Sequence, residues 1–221
     1  MIKEAFDKIG ASEDLKDKTY TYVLRHTKKP LYPKLILSFG AFVLALIATY
    51  YIYFLPISFI SFDINPSLEL VLNRFDRVID IKAYNNDAKD LISEISYFGD
   101  DYNEVLKELI ATNTVQKCLS NDEVLSITLI SDDDLKKEAM ETSIEDYTIE
   151  YENIHCHKSS SEHTKEAHHH NMSSGKYQYY LLLVEKGYDL DLDDVNSMTI
   201  KEILELLGED ASFEGHHHGH R

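Results

Sequence analysis

Eleven histidines and two cysteines are the side chains best suited to holding a ligand. His155 and His157 flank Cys156, and on a strand two residues separated by one share a face. His163, His168, His169 and His170 follow, and His216, His217, His218 and His220 end the sequence. Such imidazole runs take up Zn²⁺, Ni²⁺ or Cu²⁺ without a preformed cage, so the terminal cluster reads as an opportunistic chelator, with an expression tag as the plain alternative. Cys118 and Cys156 are a candidate disulfide pair, and two unpaired thiols are the equal alternative. No Cys-x-x-Cys occurs, which removes thioredoxin-like and zinc-ribbon chemistry.

Other spacings fail on particular residues. Asp189-Leu-Asp-Leu-Asp-Asp resembles the start of a calcium loop, but Asp194 stands where glycine is needed and Ile200 where the bidentate glutamate belongs. It reads instead as a helix N-terminus. Ser174-Gly175-Lys176 lacks the first glycine of a phosphate loop, and Tyr177 replaces its magnesium-binding hydroxyl. Gly-x-Ser-x-Gly and His-Glu-x-x-His are both absent, so an enzyme acting on an external substrate has no constellation to use, and no cofactor is expected.

These residues are positioned around one stretch. Leu35 to Leu55 contains no Asp, Glu, Lys, Arg or His. At about 1.5 Å per residue it makes a helix of roughly 30 Å, the thickness of a bilayer's hydrocarbon core. Lys28, Lys29 and Lys34 precede it, and Tyr50, Tyr51 and Tyr53 crowd its far end like an interfacial belt. Residues 35–56 are therefore expected to span a cell membrane once. The net charge of −17 is unevenly divided: residues 1–34 hold eight Lys or Arg and five Asp or Glu, which leaves fourteen and thirty-four for residues 35–221. Basic flanks stay inside, so the N-terminus is expected in the cytoplasm and the acidic remainder outside. An acidic exterior argues against nucleic-acid binding.

Residues 1–34 read as a cytoplasmic helical segment whose apolar positions are Phe6, Ile9, Leu15, Tyr20 and Leu24. Helices this short cannot bury a face alone, so these side chains are the candidate docking face for a membrane surface or a cytosolic protein. After the span, β-rich runs at 57–64, 68–72 and 78–84 predict an antiparallel meander, the second strand half-exposed because Glu69 alternates with leucines. Pro66 punctuates the first two. Helices are expected over 88–97, capped by Asn85, and over 102–118, 135–144, 160–170, 175–185 and 199–207, with further strands at 124–130 and 147–157. Residues 57–207 thus form one α+β domain, a mixed or antiparallel sheet of about five strands with helices packed on a face. Residues 208–221 are a polar, histidine-rich tail expected to be disordered.

The run FISFDINPSLELVLNRFDRVIDIKAYNNDAKDLI resembles the extracytoplasmic juxtamembrane domain of RsgI-type anti-sigma factors, in which Asp-Ile-Asn-Pro-Ser and Asn-Arg-Phe follow a span at this distance. SSGKYQYYLLLVEKG and MTIKEILELLG are similar to the closing helices of that domain. AFDKIGASEDLKDKTYTYV is similar to the short cytoplasmic segments of other membrane anti-sigma regulators, whereas RsgI's own cytoplasmic domain is longer and strand-rich. The resemblance implies a protein that holds a cytoplasmic sigma factor inactive until an outside cue arrives, followed by intramembrane proteolysis that releases the cytoplasmic segment. It also implies self-cleavage between Asn65 and Pro66. Proline has no N–H, so the ordinary succinimide route is closed. Attack by the Asn65 side-chain nitrogen on its own backbone carbonyl remains, with Asp63 and Ser67 adjacent for proton transfer and Pro66 expected to hold Asn65 extended. The rival from a different class is a membrane-anchored binding module for a cell-wall or metal ligand, with no sigma partner.

Overall fold

The computed structural model describes residues 10–27 and 32–208, the side chains of 27 and 32–37 excepted. Phe6 and Ile9 of the docking face, and His216, His217, His218 and His220 of the tail, lie outside the described residues. The chain divides into two compact units, 1–50 and 51–221.

In the first unit, α1 (Glu13–Thr27) opens with acidic residues that favour a helix N-terminus, and Glu13–Lys16 and Asp14–Lys18 pair along its surface. Leu15, Tyr20, Tyr22, Val23 and Leu24 are exposed. At 3.6 residues per turn, Tyr20 and Leu24 share one face and Leu15 with Tyr22 lies about half a turn away, so the expected single docking face is two faces of one bare helix. Helix α2 (Tyr32–Phe54) covers the uncharged stretch, its residues from Tyr51 on belonging to the second unit, and its apolar side chains from Phe39 onward are largely exposed. Among the described residues, no helix is long and apolar enough to cross a membrane; in α2 the side chains are described only from Ser38 on.

The second unit is built on a five-stranded mixed sheet of order β3-β2-β1-β4-β5. β1 (Ser58–Asp63) is central, antiparallel to β2 (Ser67–Leu72) and to β4 (Leu125–Ile130). β2 pairs with β3 (Val78–Ala83), and β5 (Ile154–Ser159) runs parallel to β4. The α+β class and the mixed sheet agree with the sequence, but helices cover both faces rather than one. Below lie α3 (Asn86–Ser93), α4 (Tyr102–Ala111), α5 (Asn113–Ser120) and α6 (Asp134–Thr148). Their Leu91, Leu106, Leu109, Val115 and Ile144 bury against Ile60, Phe62, Leu68, Leu70 and Ile127 of the strands. Above lie α7 (Thr164–His169), α8 (Ser174–Glu185), α9 (Leu192–Ser197) and α10 (Ile200–Leu207), where Tyr179, Leu183, Val195 and Ile203 make a smaller core.

Several boundaries differ from expectation, two of them by a whole segment. The helix expected over 102–118 breaks at Thr112, whose hydroxyl caps α5 by accepting from the Val115 N–H. The strand expected at 147–157 begins only at Ile154, because α6 continues to Thr148 and its hydroxyl bonds back to the Ile144 carbonyl. β2 is buried along its whole length, not half-exposed. The reason is the second helical layer.

Candidate functional site

The β1–β2 hairpin closes through three residues, Ile64, Asn65 and Pro66, between the paired Asp63 and Ser67. The Ile64 N–H donates to the Pro66 carbonyl at 3.1 Å. Closing so short a loop forces Asn65 to φ 142°, a backbone conformation that costs an L-residue on the order of 1–3 kcal/mol. The expected negative-φ extended geometry before proline is therefore overturned by the turn. Asn65 is exposed while Pro66 is buried.

Two distant elements hold this strained residue. The Asn85 amide donates to Asn65 Oδ1 at 3.1 Å, while Asn85 Oδ1 caps α3 at Ala88 N and accepts from Ser67 N. The Cys118 thiol on α5 donates to the Asn65 backbone carbonyl at 3.6 Å. Burial, then Glu123 and Asp87, push that thiol's pKa up, so it keeps the proton it donates. The candidate Cys118–Cys156 disulfide is not formed, since both cysteines are free thiols and each packs partly buried against the main core.

Beside the loop is a buried polar layer on the face of the sheet beneath α8. Asp63 accepts from Ser67 Oγ and from Ser173 Oγ, the N-cap of α8. Burial lifts its carboxyl to about 6, against the opposing effects of the two serines and Lys176. Glu69, fully buried, accepts from Ser61, from the Ser174 N–H at 2.9 Å and from His168 Nε2 at 2.5 Å. Burial acts to raise its pKa, but the His168 bond and charge outweigh it, so Glu69 is held below the usual range. Lys176 reaches the Asn196 carbonyl at 2.7 Å, its own pKa lowered by burial. A cavity of about 190 Å³ opens here, lined by Asp63, Asn65, Asn85, Lys176 and Asn196 among others.

The Ser174-Gly175-Lys176 run that fails as a phosphate loop has its explanation in this layer. A Cβ on Gly175 would meet Thr128 Oγ1 at 2.7 Å and both Asp63 Oδ2 and Ser61 Cβ at 2.9 Å. Only glycine lets the start of α8 descend far enough for the Ser174 and Gly175 N–H groups to bond Glu69 and Ser61. Gly175→Ala is expected to cost about 3 kcal/mol through overpacking and lost bonds, lowering the melting temperature by roughly 6–12 °C. A thermal scan of the variant showing no shift would contradict this close approach.

The remaining sequence candidates are scattered. His155 and His157 stack at 6.4 Å, and burial, then His155, drops His157 to about 4, which keeps it neutral. Among the described residues no group of three His, Cys, Asp or Glu is placed to hold a metal ion. Asp191, in the run that fails as a calcium loop, is the N-cap position of α9, as a helix start requires. The family resemblance pointed to Asn65 and Pro66, and adjacency to them pointed to Asp63 and Ser67. Neither gave a pointer to Ser173 and Cys118 as partners of the loop, and Asn85 was legible only as a helix cap.

Residues 57–182 match the family described as the anti-sigma factor RsgI-like central domain. That stretch opens just before β1 and ends within α8. The chain is also similar to the anti-sigma-I factor RsgI7 of Acetivibrio thermocellus, 42% identical over 79 residues, 36% of this chain and 14% of that protein. The anti-sigma-I factor RsgI of Bacillus anthracis is 32% identical over 99 residues, 44% of this chain and 22% of its own length. RsgI4 of Acetivibrio thermocellus is 26% identical over 165 residues, covering 69% and 31% respectively. The chain thus spans under a third of the length of each of these relatives.

Proposed function

The chain belongs to the RsgI-like anti-sigma factors, and from that premise we propose that it is a single-span regulator relaying an outside signal to a sigma-I-type factor in the cytoplasm. The observation that carries this reading is the placement of the family's domain. It starts at Ile57, three residues beyond the last residue of helix α2, which carries the uncharged stretch. Leu35–Leu55 would cross the membrane, the basic 1–34 segment would stay inside, and residues 57–207 would form the outer domain.

The relay would begin at Asn65–Pro66. Asn65 Nδ2 attacks the Asn65 carbonyl carbon, the bond to Pro66 nitrogen breaks, and that nitrogen takes up a proton. One fragment then ends in a cyclic imide and the other begins with a free proline amine. Strain at Asn65, the anchoring of its side chain by Asn85 and the thiol on its carbonyl oxygen all favour this geometry. The pieces would stay together, because β1 leaves with residues 1–65 yet is held by ladders to β2 and β4. Pulling on the outer fragment would separate them, exposing the remaining anchor to an intramembrane protease that frees residues 1–34.

Sigma binding is assigned to α1 with Phe6 and Ile9, and the exposed Leu15, Tyr20 and Leu24 are its described part. Each such side chain buried in a partner contributes roughly 1.5–3 kcal/mol. Leu15→Asp with Leu24→Asp, one change on each face of α1, is expected to weaken the full chain's binding to a sigma-I-type factor at least about 100-fold in a titration in detergent. Unchanged affinity in the double variant would remove the sigma reading and leave the anchored binding module.

A further inference from the structure

The Asn73-Arg-Phe-Asp-Arg stretch has no part in the cleavage site, since it lies at the opposite end of β2. Asn73 is completely buried, and its side chain does three things at once. Its Oδ1 accepts from the Phe75 and Arg77 N–H groups at 2.9 and 3.1 Å, shaping the β2–β3 turn. Its Nδ2 donates at 3.0 Å to the Tyr53 carbonyl, in the last turn of α2, where the helix has no partner of its own to offer. The turn so formed, with Asp76 at φ 58°, holds the Phe75 ring 6.5 Å from that of Tyr53.

A second loop completes the arrangement. Gly99 N and Asp100 O bond Val78 at the start of β3, and Phe98 stacks on Phe54 with ring centroids 6.1 Å apart. Phe75 and Phe98 remain 56% and 60% exposed, next to the exposed Leu55 and Ile57 and the exposed Arg74 and Arg77. The acidic residues of this end are largely engaged within the fold. Asp76 pairs with Lys136, Asp101 and Asp133 cap α4 and α6, and Asp132 accepts from Ser161. Only Leu55, Pro56 and Ile57 separate α2 from β1, and the Ile57 N–H is already bonded to the Leu72 carbonyl.

From this geometry we infer that Phe75 and Phe98, with Arg74 and Arg77, form a platform that seats the outer domain on the lipid surface. The inference rests on the single-span reading. Aromatic rings with an arginine beside them suit the headgroup region, and three residues of linker leave no room for the domain to stand away from it. Asn73 is the residue that makes the seat rigid, because it fixes the turn and the helix end with one side chain. The Asn65–Pro66 loop is then carried at the opposite end of β1, about 20 Å from the bilayer.

The sequence contains no tryptophan, so single reporters are available in the full chain. Phe75→Trp, Phe98→Trp and Ile149→Trp variants are reconstituted in phosphatidylcholine–phosphatidylglycerol vesicles with brominated acyl chains. Ile149 is exposed and precedes β5 at the distal end of the sheet. The indoles of the Phe75→Trp and Phe98→Trp variants should lose roughly half or more of their emission, as rings about 5–10 Å into the interface would. That of Ile149→Trp should lose none. Arg74→Gln with Arg77→Gln should reduce the loss in the first two. Alkaline extraction of the chain from the vesicles would overturn the single-span reading and the platform with it. A chain that stays inserted, with the indoles of both Phe variants unquenched by the lipid, would overturn the platform alone. Shielding of these rings that appears only at high protein density would do the same, by assigning the patch to a second copy.

Discussion

Purified protein carrying Asn65→Ala should remain one 25.5 kDa chain, while the wild type resolves on denaturation into residues 1–65 and 66–221. Alanine removes the nucleophile and leaves the proline, so loss of the fragments separates cyclisation from adventitious hydrolysis. The masses carry a second signature. Before any water adds, the two wild-type fragments sum to the mass of the intact chain, since the amide nitrogen displaces the proline nitrogen without a water. Asn85→Ala should slow the reaction by roughly 100-fold, the order expected when a reacting group is displaced by about 1 Å. Under native conditions the fragments should elute together, because β1 is central and buries Ile60 and Phe62. An intact wild-type chain after prolonged incubation would end the cleavage proposal without touching the family assignment.

The parts of this arrangement that sequence makes legible are the local ones. Asn85 reads as a helix cap because Asn before a periodic apolar run satisfies an orphan N–H, and it does cap α3. β1, β3 and β4 are legible from β-branched and aromatic density, and β2 from the alternation of its leucines. Glu69 misleads, because alternation with leucines is what a water-facing strand also shows. The cover that buries it comes from the Ser174 N–H, 105 positions along the chain, and from His168, 99 positions along. Tyr147 to Tyr151 misleads for a related reason: alternation over five residues also fits the end of a helix, and α6 had core contacts at Met140 and Ile144 that kept it going. The Asp63–Ser67 pair is readable from adjacency, but its third partner, Ser173, lies 110 residues away. That separation is set by how α8 crosses the sheet. Gly175 was visible as a residue and invisible as a requirement, for the same reason.

The second large effect concerns the buried charge of Asp63. Its folded carboxyl titrates at about 6 against an ordinary 3.8, so the folded chain holds its proton more tightly than the unfolded one. The stability this contributes is complete below pH 3.8, falls as pH rises from there to about 6, and is absent above. At neutral pH the ionised group therefore costs about 3 kcal/mol relative to a neutral side chain in the same place. Asp63→Asn keeps the shape, and its oxygen can still accept from Ser67 or Ser173. Removing the charge leaves Lys176 with Glu202 alone as its counter-charge, which trims the gain. In an uncleaved Asn65→Ala background, the expected gain is about 2–3 kcal/mol at pH 7.5, a urea midpoint higher by roughly 1–2 M, and little difference at pH 4. Glu69 titrates in both proteins with the opposite sign, gaining stability as pH rises, so the difference between the two midpoints isolates Asp63. The proposed cleavage would use a proton held near neutrality beside Asn65. Asp63 and Ser67 can pass one toward the departing Pro66 nitrogen only while the carboxyl is protonated. With Asn65 restored, wild-type cleavage should therefore slow as pH rises above about 6, and Asp63→Asn should cleave more slowly than wild type at pH 5. Equal urea midpoints for the two proteins at both pH values would remove the buried charge, and a flat cleavage profile would remove its role as proton donor.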